Sequence, residues 1–301
     1  MKTALTVAIA TVALMLAGCS ENENGEPDNR NYEIQLSSGL QVQKTRTNNG
    51  DVPDKQIAEN ELIGVYVKGI SGETAFSGYT NVSAKADGGG NFSDYSAEMY
   101  YPESGKGVIV SAYHPYNNGT DDSYDFTVKT AQNTDANYFA SDLLYSKETT
   151  FARSNNPLSL SFVHKLAKVT CTLVVGNGSP NVTGATVEIV APECSTKFNC
   201  TTGELTTATT SSKSNNVTLG TYGAVVVPQT YTKGAKLFKV TLADGGILYY
   251  TLPADSSDTD LKLDGGYVYN YTITVNLSGL TATSTIETWT PVSKSGTAVM
   301  E

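Results

Sequence analysis

The chain has 301 residues, 30 Asp and Glu against 20 Lys and Arg, and a formal net charge of −10 at pH 7. That acidic balance, with no cluster of basic residues, excludes nucleic acid and anionic lipid headgroups as partners, because both are held by grouped Lys and Arg. The length suffices for two domains of ordinary size, and 18 Tyr against 1 Trp suit a strand-rich chain.

At the N-terminus, Lys2 precedes an uncharged, mostly apolar run from Thr3 to Ala17, the length of a signal-peptide core and too short to span a bilayer. The run ends in Leu16-Ala17-Gly18-Cys19, which resembles a lipobox: small residues admit the signal peptidase, and the Cys19 thiol takes the diacylglyceryl group. Residues 1–18 are expected to be a lipoprotein signal peptide, and lipid on Cys19 to hold the mature chain at the cell outer membrane. Residues 19–31 are polar and acidic, with Gly25 and Pro27, and read as a lipidated tether that cannot bury enough apolar surface to fold. Glu21 and Glu23 stand directly behind the lipidated Cys.

From Tyr32 onward the pattern has period two, broken by Gly, Asn, Asp, Ser and Pro, and long stretches with helical spacing are absent. The fold class is all-β. Tyr32 to Val42 reads as a first strand with Ile34 and Leu36 on one face; QKTRTNNGD follows, a polar segment with Lys44 and Arg46 of the kind proteases enter. Further strands are expected over Leu62–Val67, Val108–Tyr113, Tyr124–Val128, Leu158–Phe162, Val169–Val175 and Thr186–Val190. Others follow over Ala224–Val227, Leu237–Leu242, Ile247–Leu252 and Tyr267–Leu277. Asp244-Gly245-Gly246 in LFKVTLADGGILYYTL marks a hairpin, since it supplies the positive φ a tight turn needs.

Lys147 to Pro157 is polar and reads as irregular, and a new run of strands begins at FVHKLAKV, so the division into domains is expected near residue 165. That gives an N-terminal β-sandwich over 32–165 and a C-terminal β-sandwich over 166–301, with no internal repeat of fixed period. Leu280 to Trp289 alternates after Leu277-Ser278-Gly279, which makes 280–289 a candidate donor strand.

Beyond Cys19, three cysteines remain, an odd number that rules out a fully paired disulfide framework. Cys171 alternates with Thr170 and Thr172 and reads as a small core residue; Cys194 and Cys200 either pair across strands or stay free, and sequence leaves both open.

Six blocks carry a family resemblance in order: IQLSSGLQVQKTR, LIGVYV, VIVSAYHPY, SDLLYSK, LSFVHKLAKVTCTL and GGYVYNYTITVNLSGLTATSTIETW. With the lipobox in front, the chain resembles the fimbrillin family of pilus subunits, including its minor-fimbria-like branch, over nearly the whole mature length. The resemblance implies two transthyretin-like β-sandwich domains in tandem and export as a lipoprotein. It further implies proteolytic removal of the first strand and assembly with other pilus subunits by strand exchange. Cleavage in the family falls at an arginine in this region, and Arg46 matches it. Other subunits would then be the partners, the fimbrium at the cell surface the location, and adhesion the role.

Catalytic chemistry has little to stand on. The 2 His, His114 in AYHPY and His164 in SFVHKL, read as packed or hydrogen-bonded residues, and nucleophile-elbow, H-E-x-x-H and P-loop motifs are missing. Asp255, Asp258, Asp260 and Asp264 miss the EF-hand spacing and read as a solvated turn. No catalytic residue, metal or cofactor is expected. The alternative to a pilus subunit is a monomeric surface lipoprotein that binds a glycan or a host protein.

Overall fold

The structure, a computed structural model, describes residues 32–40, 56–119, 122–208, 213, 215–255, 257 and 259–289. Period two becomes strand almost throughout. A seven-stranded sheet is made from β1 (Leu36–Leu40), β2 (Leu62–Gly69), β3 (Tyr79–Ala86), β4 (Phe92–Ser93), β5 (Val108–His114), β7 (Leu144–Phe151) and β8 (Leu158–His164). Its order is β1-β8-β7-β5-β2-β3-β4, with β1 parallel to β8 and the other neighbours antiparallel. Alternation sets what it buries: Ile63, Val65 and Val67 of β2, Val108 and Val110 of β5, and Leu158, Leu160 and Phe162 of β8 join Ile34 and Leu36 in one apolar cluster.

The remaining strands are β6 (Ser123–Thr127), β9 (Ala167–Val175), β10 (Thr186–Ile189), β11 (Ser195–Asn199), β12 (Leu205–Thr207), β13 (Val217–Thr218) and β14 (Ala224–Val226). After them come β15 (Gln229–Tyr231), β16 (Lys236–Thr241), β17 (Ile247–Thr251), β18 (Leu261–Leu263), β19 (Tyr267–Asn276) and β20 (Gly279–Thr288). They form sheets in the orders β14-β9-β19-β20, β13-β10-β16-β17, β12-β11-β6 and β15-β18. Tyr269, Tyr271, Ile273 and Val275 of β19 are buried every second residue, and Phe238 of β16 meets Tyr271 edge-on with ring centroids 4.8 Å apart. The architecture is sandwich-like, with the two larger of these sheets sharing a second apolar cluster.

The predicted hairpin is β16–β17: Gly245 has φ 92°, and Asp244 Oδ1 accepts from the Gly246 N–H at 3.0 Å. Two local differences from the sequence reading have physical causes. The stretch from Lys147 to Pro157 is not all irregular, because β7 runs on to Phe151; beyond Ser146 it pairs with β5 but no longer with β8, so its polar residues face water. A short helix, α1 (Asp135–Phe139), was missed because one turn carries no measurable period. Thr134 caps it by accepting from the Asn137 N–H.

β6 and α1 lie early in the chain yet pack with later elements. β6 pairs with β11, and Phe126, Val128 and Tyr138 belong to the second cluster. Tyr113 of β5 and Tyr145 of β7 meet Phe198 of β11 at centroid distances of 5.8 and 6.4 Å.

Candidate functional site

The first strand occupies a slot between two walls. On one side β1 pairs in parallel register with β8, Leu36 opposite Leu158 and Leu40 opposite Phe162. On the other side lies the stretch 90–101, which contains the short β4: Ile34 N–H donates to Met99 O at 2.7 Å, Ser38 N–H to Gly90 O at 2.7 Å, and Tyr101 N–H to Tyr32 O at 2.9 Å. Leu36 N–H donates to the Tyr95 hydroxyl at 3.1 Å, and burial raises the pKa of that phenol, so it stays neutral in its place. Ile34 and Leu36 point inward and are each 1 % exposed. Burying two such side chains contributes roughly 3–6 kcal/mol, and each net backbone bond about 1 kcal/mol. Losing this strand would leave an apolar slot with unpaired backbone groups on both walls.

Cys19, Lys44 and Arg46 lie outside the described residues, as do Glu21 and Glu23. At the other end, the alternating stretch read from Leu280 to Trp289 is a strand as far as Thr288 and is paired within its own chain: β20 forms a hairpin with β19 from Asn276 opposite Gly279 to Tyr267 opposite Thr288. Trp289 follows it, with its main-chain N–H donated to Gly266 O at 2.7 Å and its ring on His164 at the end of β8.

Both histidines are buried and both meet Asp142. His114 Nδ1 is 2.9 Å from the Asp142 main-chain oxygen, and His164 Nδ1 is 2.8 Å from Asp142 Oδ1. That matches the structural role read for them. Among the described residues no group of three or more His, Cys, Asp and Glu could hold a metal ion. Asp260 accepts from the Lys233 N–H and Asp264 pairs with Lys262, the behaviour of a solvated turn. Cys171, Cys194 and Cys200 form no disulfide with one another. Cys194 and Cys200 bracket the ends of β11, so a strand rise of about 3.3 Å per residue keeps them far beyond the roughly 7 Å a disulfide tolerates.

Sequence reasoning missed a cavity of about 560 Å³ beside the start of the slot. It is lined by Phe76, Tyr79, Tyr100 and Tyr101, with Glu73, Glu103 and Ser104 among its polar groups. Phe76 meets Tyr79 edge-on at 5.9 Å, and the Tyr79 hydroxyl accepts from the Tyr100 N–H at 2.9 Å. Apart from Tyr79, which opens β3, these residues come from loops, where no periodicity marks them.

The same arrangement of sheets occurs in crystal structures of candidate cell adhesion proteins. One from Bacteroides ovatus has a TM-score of 0.66 and 21 % identity, covering 88 % of this chain and 99 % of that one. One from Bacteroides uniformis has a TM-score of 0.62 and 20 % identity, covering 86 % and 99 %. The fold is thus that of a class of all-β proteins solved repeatedly from these bacteria. The family described as fimbrillin-like matches residues 45–289, and the chain belongs to that family of fimbrial subunits. A candidate fimbrium subunit, Fim1C of Bacteroides uniformis, is 25 % identical over 303 residues, which cover 97 % of this chain and 96 % of that protein. The family consists of structural and adhesion subunits rather than enzymes.

Proposed function

We propose that this chain is a structural, tip or accessory subunit of a cell-surface pilus, exported as a lipoprotein through Cys19 and assembled by strand exchange. In this reading it has two domains meeting near residue 165. Cleavage after Arg46 releases the first strand, a strand from another subunit fills the vacated slot, and the polymer serves adhesion. The observation that carries the proposal is the seat of β1, an edge strand held by parallel pairing to β8 and by hydrogen bonds to residues 90–101. It is a separable piece whose seat any strand of similar alternation would fit. Covalent lipid on Cys19 would keep the precursor at the outer membrane until cleavage.

The experiment treats purified precursor with an arginine-specific protease, with partner subunits present, and follows size by chromatography. Wild type should lose its first strand and assemble, Lys44→Ala should behave likewise, and Arg46→Ala should stay whole and monomeric. Equal assembly of wild type and Arg46→Ala would sink the role of Arg46. Separately, Cys19→Ser should lose acyl labelling and membrane retention. The second reading, a monomeric binding lipoprotein, draws on the aromatic cavity beside the slot.

A further inference from the structure

We propose that the cavity between the end of β2 and residues 100–104 binds a ring of a neutral, hydroxyl-rich sugar. Three features of its lining point to that ligand class. The first is a set of partly exposed aromatic rings, Phe76, Tyr79 and Tyr100, beside the buried Tyr101. Rings of this kind offer apolar faces to the C–H side of a sugar while polar neighbours fix its hydroxyls.

The second is Glu73. Its side chain is 8 % exposed, and both of its side-chain contacts fall on one oxygen: Ser104 Oγ donates to Oε2 at 2.5 Å, and Lys106 Nζ stands 3.6 Å from the same atom. Oε1 has no partner among the described residues. Oε1 is not among the fully enclosed, unpartnered oxygens of the fold, so it is an acceptor that a hydroxyl entering the cavity can reach. Its position is built in: a Cβ on Gly69, the last residue of β2, would lie 3.0 Å from Glu73 Cβ, so only glycine lets the side chain lie so close to the strand.

The third is charge. Glu73 and Glu103 line the cavity and Glu98 holds the Tyr100 hydroxyl at 2.6 Å, while of the two cations beside it Lys106 is turned to Glu73 and the Arg153 guanidinium lies over the Tyr32 ring. An acidic sugar would meet like charge there, whereas a neutral one brings hydroxyl donors and no charge. The volume, about 560 Å³, lies within the range of small-ligand sites.

The cavity is also tied to the first strand. Tyr101 donates to Tyr32 O, Tyr100 bridges Glu33, and the Arg153 guanidinium lies 3.8 Å from the centre of the Tyr32 ring. Residues just before β1 therefore hold one wall of the cavity in place.

The inference takes from the proposed function only the setting of a surface adhesin, and its test uses the uncleaved chain, so failure of assembly leaves it standing. The chain is applied to an array of neutral hexose and N-acetylhexosamine oligosaccharides alongside sialylated and uronic-acid counterparts, and hits are titrated calorimetrically. One arm displays the sugars on a carrier glycoprotein and another as microbial polysaccharide, which tells a host ligand from a microbial one. At least one neutral glycan should bind saturably, and Glu73→Gln and Phe76→Ala should each weaken it at least tenfold with an unchanged circular dichroism spectrum. Glu148→Gln, on an exposed pair with Lys68, should bind as wild type. Absence of saturable binding across the array, preference for the acidic sugars, or full binding by Glu73→Gln would each overturn the proposal.

Discussion

The indole of Trp289 lies flat on the imidazole of His164, with ring centroids 3.6 Å apart and planes 6° from parallel. Lys168 Nζ stands 5.6 Å from the same indole. His164 ends β8, the strand that holds β1, and Trp289 follows β20, so one stacking contact joins the first strand's neighbour to the last strand of the fold. His164 Nε2 and Trp289 Nε1 are buried without hydrogen-bond partners among the described residues, so the two rings meet by packing rather than by a hydrogen bond between them.

Trp289→Ala should therefore destabilise the chain by about 3–5 kcal/mol, the usual cost of deleting a buried large aromatic. Because Trp289 is the 1 Trp of the sequence, its fluorescence reports this contact alone. Wild type should emit as a buried indole, and any release of β20 should move the emission to the red before the global unfolding transition. A denaturant titration with an emission already solvent-like in the native state would count against the contact.

Ile34→Ala and Leu36→Ala should each cost about 2–5 kcal/mol, because both side chains sit in the core rather than on a free edge. Gln35→Ala, whose side chain is exposed, should change stability by less than about 0.5 kcal/mol. Urea unfolding midpoints of the three variants give the comparison, and equal midpoints would mean that β1 is not seated as described.

The three thiols should be countable and slow. Burial pushes the Cys171 thiol up to about 12 and raises that of Cys200, so few thiolates exist at neutral pH. Ellman's reagent should react slowly with the native mature chain and rapidly in denaturant, giving three thiols from Cys171, Cys194 and Cys200. Recovery of one thiol would reveal a Cys194–Cys200 bridge and overturn the β11 geometry.

Alkali should destabilise the fold at the aromatic junction of β2, β5, β6 and β7 with β11. Burial is the leading cause that raises Tyr145 to about 12 and moves Tyr66, Tyr113 and Tyr124 further in the same direction. A raised folded-state pKa means that the unfolded chain gives up its protons first. Stability from these groups is then intact below the free value of about 10 and falls as pH rises from there through the folded values. Unfolding midpoints at about pH 8 and about pH 9 should coincide, and that at about pH 11 should be clearly lower. An unchanged midpoint at the highest pH would refute the assignment.

How legible these features are in the sequence follows from how local their causes are. Strands such as Leu158–His164 and Tyr267–Asn276 declare themselves, because alternating apolar residues face a core whatever they pair with. The Asp244-Gly245-Gly246 turn is equally local, and so is the burial of Ile34 and Leu36. The partner of β1 is not local: that Leu36 lies beside Leu158 in parallel register depends on every strand between them. Nothing near Trp289 in the chain points to His164. Glu73 had a faint signal, a carboxylate close after Gly69, but its burial comes from Ser104 and Lys106 on another loop. Cys19 and Arg46 rest on motif and family resemblance.

The parallel pairing of β1 sets where the chain leaves its slot. Leu40 lies opposite Phe162; Leu144 faces both His164 and His114, and Gly64 faces Tyr113, so the exit from β1 and the entry to β2 are at the same end of the sheet. The two strands are four places apart in the sheet, about 19 Å at a spacing of about 4.8 Å, a gap that the residues joining them bridge with length to spare. In the proposed assembly, a departed β1 would remain a leashed competitor while that link is intact, at an effective concentration on the order of millimolar, and would outrun a strand arriving from solution. One severed peptide bond in the link would, in the same proposed assembly, change the contest from intramolecular to bimolecular. The slot would then go to whichever strand is locally most abundant.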